Sequence, residues 1–171
     1  MRDVVEIATN VHDIKLMENY FKYHERKRDW KPVVKWYHGS TGSGKTRQAM
    51  IEATDPWISG RDGRWYDGYD AHEDVIFDDV RGDFMKFHEW LRVLDRYPYT
   101  IEIKGGSRQF LAKRIWITSC YSPREMFKNK TDEDINQLER RIDLIQCFGS
   151  EVRGNTSPGL VSRIVGPIEI A

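Results

Sequence analysis

The stretch Gly39-Ser40-Thr41-Gly42-Ser43-Gly44-Lys45-Thr46 constrains this chain more than any other feature. Its spacing is G-x-x-x-x-G-K-T, with a β-branched and aromatic run, Val33-Val34-Lys35-Trp36-Tyr37, before it. A helical pattern follows from Thr46 to about Ala53. A polyphosphate needs several backbone N–H groups converging on its oxygens, and only glycine-rich main chain comes that close. Lys45 adds a mobile positive charge for the β- and γ-phosphates, and the Thr46 hydroxyl is a ligand for Mg2+. The chain is therefore expected to bind ATP through Gly39 to Thr46 and to hydrolyse it.

A second group of residues supports that chemistry. Val75-Ile76-Phe77 reads as a short buried strand that ends in Asp78-Asp79. An acid delivered by an apolar strand is what Mg2+ coordination opposite a phosphate loop requires. Asp78 is expected to hold the metal and Asp79 to polarise the attacking water, the plain alternative being a solvated acid pair. Farther on, Thr100-Ile101-Glu102-Ile103-Lys104 and Gln109-Phe110-Leu111 flank Gly105-Gly106, the signature of a hairpin. Lys104 and Arg108 at its tip, with Lys113 and Arg114 beyond, suit a nucleic-acid backbone. A solvated turn explains them equally well. Arg140-Arg141 follow an acidic helix containing Asp132, Glu133, Asp134 and Glu139. One of the two could reach the γ-phosphate of a neighbouring subunit, with Arg114 a weaker candidate. Compensation of the helix dipole accounts for them as readily.

Composition sets the bounds. A chain of 171 residues buries one core, or one core and a small helical appendage. The charges balance at 27 basic and 27 acidic residues, so any DNA contact has to come from a local cluster or a ring of subunits. Cys120 and Cys147 form no CxxC, which fits a reducing compartment, and the five His form no metal-binding pattern. No apolar run approaches the roughly 20 residues that span a membrane, and the sequons at Asn129 and Asn155 read as accidental. The spacing predicts helices over 11–28 (Ile14, Met17, Tyr20 and Phe21 on one side) and 84–95, and near 123–128 and 133–141. Strands are predicted over 114–118 and 142–148, with a weakly ordered tail after Gly149. Alternating strands and helices predict a three-layer α/β domain with a mainly parallel sheet. The expected organisation is a helical segment over 1–31, the ATPase domain over 32–149 and the tail over 150–171.

The order of these motifs resembles the superfamily 3 helicase domain of the replication-associated (Rep) proteins of circular single-stranded DNA viruses, closest to the circovirus and nanovirus kind. The residues that carry the resemblance begin with Lys27-Arg28-Asp29-Trp30-Lys31, Gly39 to Thr46 and Trp65-Tyr66-Asp67-Gly68-Tyr69. They continue with Asp78-Asp79, Asp95-Arg96-Tyr97-Pro98, Glu102-Ile103-Lys104-Gly105-Gly106, Ile117-Thr118-Ser119-Cys120 and Arg140-Arg141-Ile142. The resemblance implies a P-loop NTPase of the AAA+ type that assembles into a ring, typically a hexamer, around single-stranded DNA. ATP then sits between subunits, Asp78 and Asp79 form the metal and water pair, and Lys104 belongs to a hairpin in the pore. The segment before Trp30 corresponds to a helical oligomerisation region. The implied setting is the host nucleus. Two departures stand out. The family places an Asn at the end of the Ile-Thr-Ser strand, where this chain has Cys120, so either Ser119 or Thr118 is expected to share the γ-phosphate sensing, or hydrolysis is tuned differently. The family's nicking endonuclease, with a His-hydrophobe-His metal motif and a Tyr nucleophile, is not matched, so the chain is expected to be the helicase portion. The readings weighed against an ATP-driven DNA helicase are a small-molecule P-loop kinase and a nucleotide-dependent assembly module with little hydrolysis.

Overall fold

Along each central strand, apolar residues alternate between two clusters, and that alternation dictates a sheet covered on both faces. Val34, Trp36, Val75, Phe77, Ile115 and Ile117 enter one cluster, whereas Tyr37, Ile76 and Trp116 enter the other. The computed structural model describes residues 11–104, 106–149 and 163–164. Its strands are β1 (Val33–Gly39), β2 (Trp57–Ile58), β3 (Asp74–Val80), β4 (Thr100–Ile103), β5 (Gly106–Gln109), β6 (Arg114–Ser119), β7 (Leu144–Phe148) and β8 (Arg163–Ile164). Its helices are α1 (Val11–His24), α2 (Lys45–Glu52), α3 (Phe87–Val93), α4 (Pro123–Met126) and α5 (Asp132–Glu139).

One sheet has the order β2-β3-β6-β1-β7-β8, and β4 and β5 form a separate antiparallel pair. The pairs from β2 across to β7 are all parallel, and β8 joins β7 antiparallel. The expected α/β P-loop NTPase fold with a mainly parallel sheet is the fold observed. On one face Ala49 of α2 packs with Tyr37, Ile76 and Trp116. The other face carries the larger cluster, where Trp90 of α3 and Leu138 of α5 meet Ile101 and Phe110 of the hairpin region.

Several boundaries differ from the sequence-based expectation, each for a local reason. The first helix ends at His24 rather than 28. Glu25 instead pairs with Arg108 (2.5 Å) and accepts the Gln109 N–H (2.8 Å). Arg28 is buried and donates to the carbonyls of Arg92, Val93 and Tyr97 at 2.9–3.2 Å. The helix expected over 84–95 shortens to Phe87–Val93, because Phe84 and Met85 are core residues ahead of it. The Glu89 carboxylate accepts the Lys86 N–H (3.0 Å) and marks the start. The two-residue β2 was not expected, being too short to show a period. Its Trp57 is held by stacking on Tyr66, with ring centroids 5.0 Å apart. The Ile14 and Phe21 side chains, Gly105 at the hairpin tip and the tail apart from β8 lie outside the described residues.

At the end of α2, Glu52 sits in a polar knot beneath the sheet. It accepts from Lys35 (2.7 Å), Tyr37 (2.8 Å), Gln48 (2.7 Å) and the Trp116 indole (2.9 Å). Burial alone would raise its pKa, but these hydrogen bonds outweigh burial and hold it at about 2. Because the folded value lies below the unfolded one, the stabilisation is complete above pH ~4.5 and is lost as pH falls towards about 2. Glu52→Gln is expected to cost about 2 kcal/mol at pH 7 in urea unfolding. The difference from the parent should shrink steadily between pH 4.5 and 2.

Candidate functional site

The carboxyl ends of β1 and β7 lie side by side, and the glycine loop is folded over them. Gly39 adopts φ +135° with its α-carbon against the Phe148 carbonyl, where a Cβ would overlap that oxygen. Gly149, just past β7, adopts φ +82°, and a Cβ there would meet Ser40 Oγ at 2.7 Å. The loop is thus clamped from behind by the end of a second strand. Lys45 opens α2 and donates to the carbonyls of Gly39 (2.9 Å) and Ser40 (2.7 Å) and to Ser43 Oγ (3.3 Å). His38 lies nearby with its pKa lowered, first by burial and then by the Lys45 charge, against an upward pull from Glu125. Gly42 and Gly44 take φ +79° and +90°, which gives the turn its handedness.

Asp78 meets this loop from the neighbouring part of the sheet. The Thr46 hydroxyl donates to Asp78 Oδ1 at 2.7 Å, and the Thr118 hydroxyl donates to the same oxygen at 2.7 Å. Thr118 Oγ1 also accepts the Asp79 N–H (2.9 Å). The strand was expected to end in the two acids; instead β3 runs on to Val80, and the β3–β6 register shifts between Phe77 and Val80. This bulge separates the two carboxylates. Asp78 joins Thr46, whereas Asp79, at φ +47°, is largely exposed and pairs with Arg81 (2.8 Å). Arg81 also contacts the Cys120 thiol and lies over the Tyr121 ring.

The structure therefore divides the expected sensor residues. Ser119 is fully buried, donates to the Val80 carbonyl (2.7 Å) and accepts the Tyr121 N–H (3.1 Å), so it joins β6 to β3 and does not face a ligand. Cys120 is half-buried against Arg81. Thr118 is the hydroxyl of this strand that reaches Asp78. Arg81 and Gly149 escaped sequence reasoning. The signals were faint: a cation two positions after Asp79, and a glycine at the end of a strand.

The oxygens present suit Mg2+. Thr46 and Asp78 bring two hard donors into contact at the loop, and among the described residues no group of three or more His, Cys, Asp or Glu is arranged for a metal. A small divalent cation takes most of its ligands from phosphate and water, and Thr46 and Asp78 are the oxygens that would hold it here.

The other basic candidates fall into two sets. Lys104 stands exposed at the end of β4, with its Nζ 2.8 Å from Asp67 Oδ2. Arg108 was expected beside it at the tip but is buried in β5, paired with Glu25 (2.5 Å) and Asp70 (3.1 Å). It fastens the hairpin to the end of α1 and is not presented to a ligand. Arg114 pairs with the buried Asp74 (2.6 Å). Arg141 is held by Asp95 (2.6 Å) and the Gln137 carbonyl (2.5 Å). Arg140 is exposed at the end of α5 and makes no side-chain hydrogen bond or ion pair among the described residues. Both arginines precede β7 at the edge where β1 begins, a strand length of about 17 Å from the loop. Within one chain neither lies beside the phosphate site.

The chain is similar to known proteins over most of its length. A family model described as RNA helicase matches residues 35–121. The chain is 41% identical over 121 residues to a replication-associated protein of Human associated cyclovirus 1, covering 67% of this chain and 42% of that protein. It is 41% identical over 120 residues to that of Goose circovirus, covering 70% and 40%. The replication-associated protein of Porcine circovirus 1 is 37% identical over 125 residues, covering 72% and 40%. The chain spans about two fifths of the length of these curated relatives.

The loop geometry predicts unequal tolerance among its glycines. Gly39→Ala combines a positive φ with overlap of the Phe148 backbone and is expected to cost about 3 kcal/mol in chemical unfolding. Gly42→Ala has open space around the new Cβ and is expected to cost about 1 kcal/mol from its φ alone.

Proposed function

The chain belongs to the RNA helicase family, with the replication-associated proteins of circoviruses, and from that premise we propose that it hydrolyses ATP to drive a viral replication helicase along single-stranded DNA. The observation that carries this reading is the meeting of Thr46, Asp78 and Thr118 beside Lys45 and the glycine loop.

In this reading the loop N–H groups and Lys45 bind the triphosphate, and Thr46 and Asp78 hold Mg2+. The bound cation supplies charge neutralisation on the phosphate oxygens. Asp79 accepts a hydrogen bond from the attacking water and so orients it towards the γ-phosphate. Thr118 holds the backbone of Asp79 and the carboxylate of Asp78 together, which fixes the distance between metal ligand and water. Arg140 of an adjacent subunit stabilises the charge that develops on the transferred phosphoryl group. Its exposure supports this choice over Arg141, which Asp95 holds. Such an arginine acts only across a subunit boundary, so the active form is a ring, by family resemblance a hexamer. Several Lys104 side chains then converge on one strand, which lets a chain of zero net charge grip DNA. The proposed setting of this work is the host nucleus, in keeping with the resemblance to viral replication proteins.

Lys45→Ala is expected to lower ATP turnover about a hundredfold or more, measured as phosphate release. Near-normal turnover would exclude the phosphate-loop assignment. Lys104→Ala is expected to weaken binding to single-stranded DNA more than it lowers basal turnover. It should also reduce the salt dependence of binding by about one unit of slope per contacting subunit. Arg140→Ala alone should lose about a thousandfold in turnover. Mixing it with Lys45→Ala subunits should restore part of the activity, because each supplies what the other lacks. Failure of the mixture to recover would place the arginine elsewhere.

A further inference from the structure

The segment Trp65-Tyr66-Asp67-Gly68-Tyr69 lies beside the hairpin, and the nucleotide chemistry above does not use it. Its residues alternate in exposure: Tyr66 and Tyr69 are buried, Trp65 and Asp67 exposed. The Tyr66 N–H donates to the Glu102 carbonyl (3.0 Å), so the segment runs along β4. One residue on, Asp67 holds Lys104 at two points. Its Oδ1 accepts the Lys104 backbone N–H (3.2 Å), and its Oδ2 pairs with the Lys104 ammonium (2.8 Å).

The turn that presents this carboxylate is itself anchored. Trp57 of β2 donates its indole N–H to the Asp67 carbonyl (2.9 Å), and Gly68 takes φ +76° to let the chain reverse. Two residues after Trp57, Ser59 accepts the Asp78 N–H (3.0 Å) on its hydroxyl and donates its own N–H to the Ile76 carbonyl (2.9 Å). Asp67 is therefore tied through Trp57 to the edge of the sheet that carries Asp78, and Lys104 stands exposed at the end of β4.

We infer that Asp67 is a positioning residue that competes with DNA phosphate for Lys104. The inference rests on the reading of Lys104 as a DNA contact. Asp67 partly neutralises the ammonium and repels an incoming phosphate, so the strand holds Lys104 more tightly once Asp67 gives it up. While DNA is absent the pair holds the lysine in one place on the exposed face of β4. The cost of release is small, because the pair is solvent-exposed, and this suits a contact made and broken repeatedly during translocation.

The test is Asp67→Asn, which keeps an oxygen for the Lys104 backbone N–H and removes the charge. Its affinity for a fluorescent oligo(dT) is compared with that of the parent, Lys104→Ala and the double variant across a salt series, with assembly state checked by sedimentation. Asp67→Asn is expected to bind roughly twofold to fivefold tighter than the parent. In the Lys104→Ala background the same change should have no effect. Unchanged or weaker binding by Asp67→Asn, with Lys104→Ala clearly weakened, overturns the competition and leaves the hairpin reading intact. Equal tightening in both backgrounds also overturns it, because that result marks a general charge effect. If Lys104→Ala binds like the parent, the hairpin reading fails and the competition fails with it.

Discussion

Strand β6 lies between the strand that ends in the phosphate loop and the strand that carries the two acids, and the Thr118 hydroxyl bridges their junction. It donates to the Asp78 carboxylate and accepts the Asp79 N–H, so one oxygen fixes both acids. Without that bridge a bulged strand end would leave two carboxylates free to move independently. With it, Asp78 sits against Thr46 while Asp79 faces outward to Arg81. The parallel order of the sheet is thus the frame of the candidate site: β1 positions the loop, β3 the acids, and β6 the hydroxyl that joins them.

Two buried arginines do comparable work for the hairpin. Arg28 satisfies its guanidinium on main-chain carbonyls near the end of α3, and burial lowers its pKa to about 10. Arg108 ties β5 to Glu25 and Asp70, and its pKa is raised because those two carboxylates outweigh the effect of burial. A buried charge persists only when its hydrogen bonds are filled, and both arginines meet that condition. The base of the hairpin is therefore locked to the body of the domain, while Lys104 at its end remains exposed.

Much of this was legible in the sequence. The loop from Gly39 to Thr46 announced itself because its chemistry is local: glycine spacing, one lysine and one hydroxyl. The placement of Asp78 against the loop and of an exposed Lys104 beside the hairpin turn was also legible, since an acid after an apolar run and a lysine beside Gly-Gly carry their context with them. Arg108 was misplaced because a residue's distance from a turn does not reveal which side of the strand it occupies, and Glu25 lies far away in sequence. Thr118 outranked Ser119 for the same reason. Alternation along β6 turns Ser119 to the Val80 carbonyl and Thr118 to Asp78, a distinction set by the register with β3 and its bulge. Gly149 and Arg81 depend on contacts between strands that no local pattern encodes.

In the proposed function, the site formed by Lys45, Thr46, Asp78 and Thr118 hydrolyses ATP in the service of movement on DNA. Steady-state phosphate release from the assembled protein, with Mg2+ and ATP present and single-stranded DNA added or withheld, tests it most directly. The predicted result is measurable turnover that rises when single-stranded DNA is added. Turnover that is negligible under both conditions would instead mark a nucleotide-dependent assembly module. Release that requires a small-molecule phosphate acceptor and ignores DNA would mark a kinase, and either outcome would contradict the account.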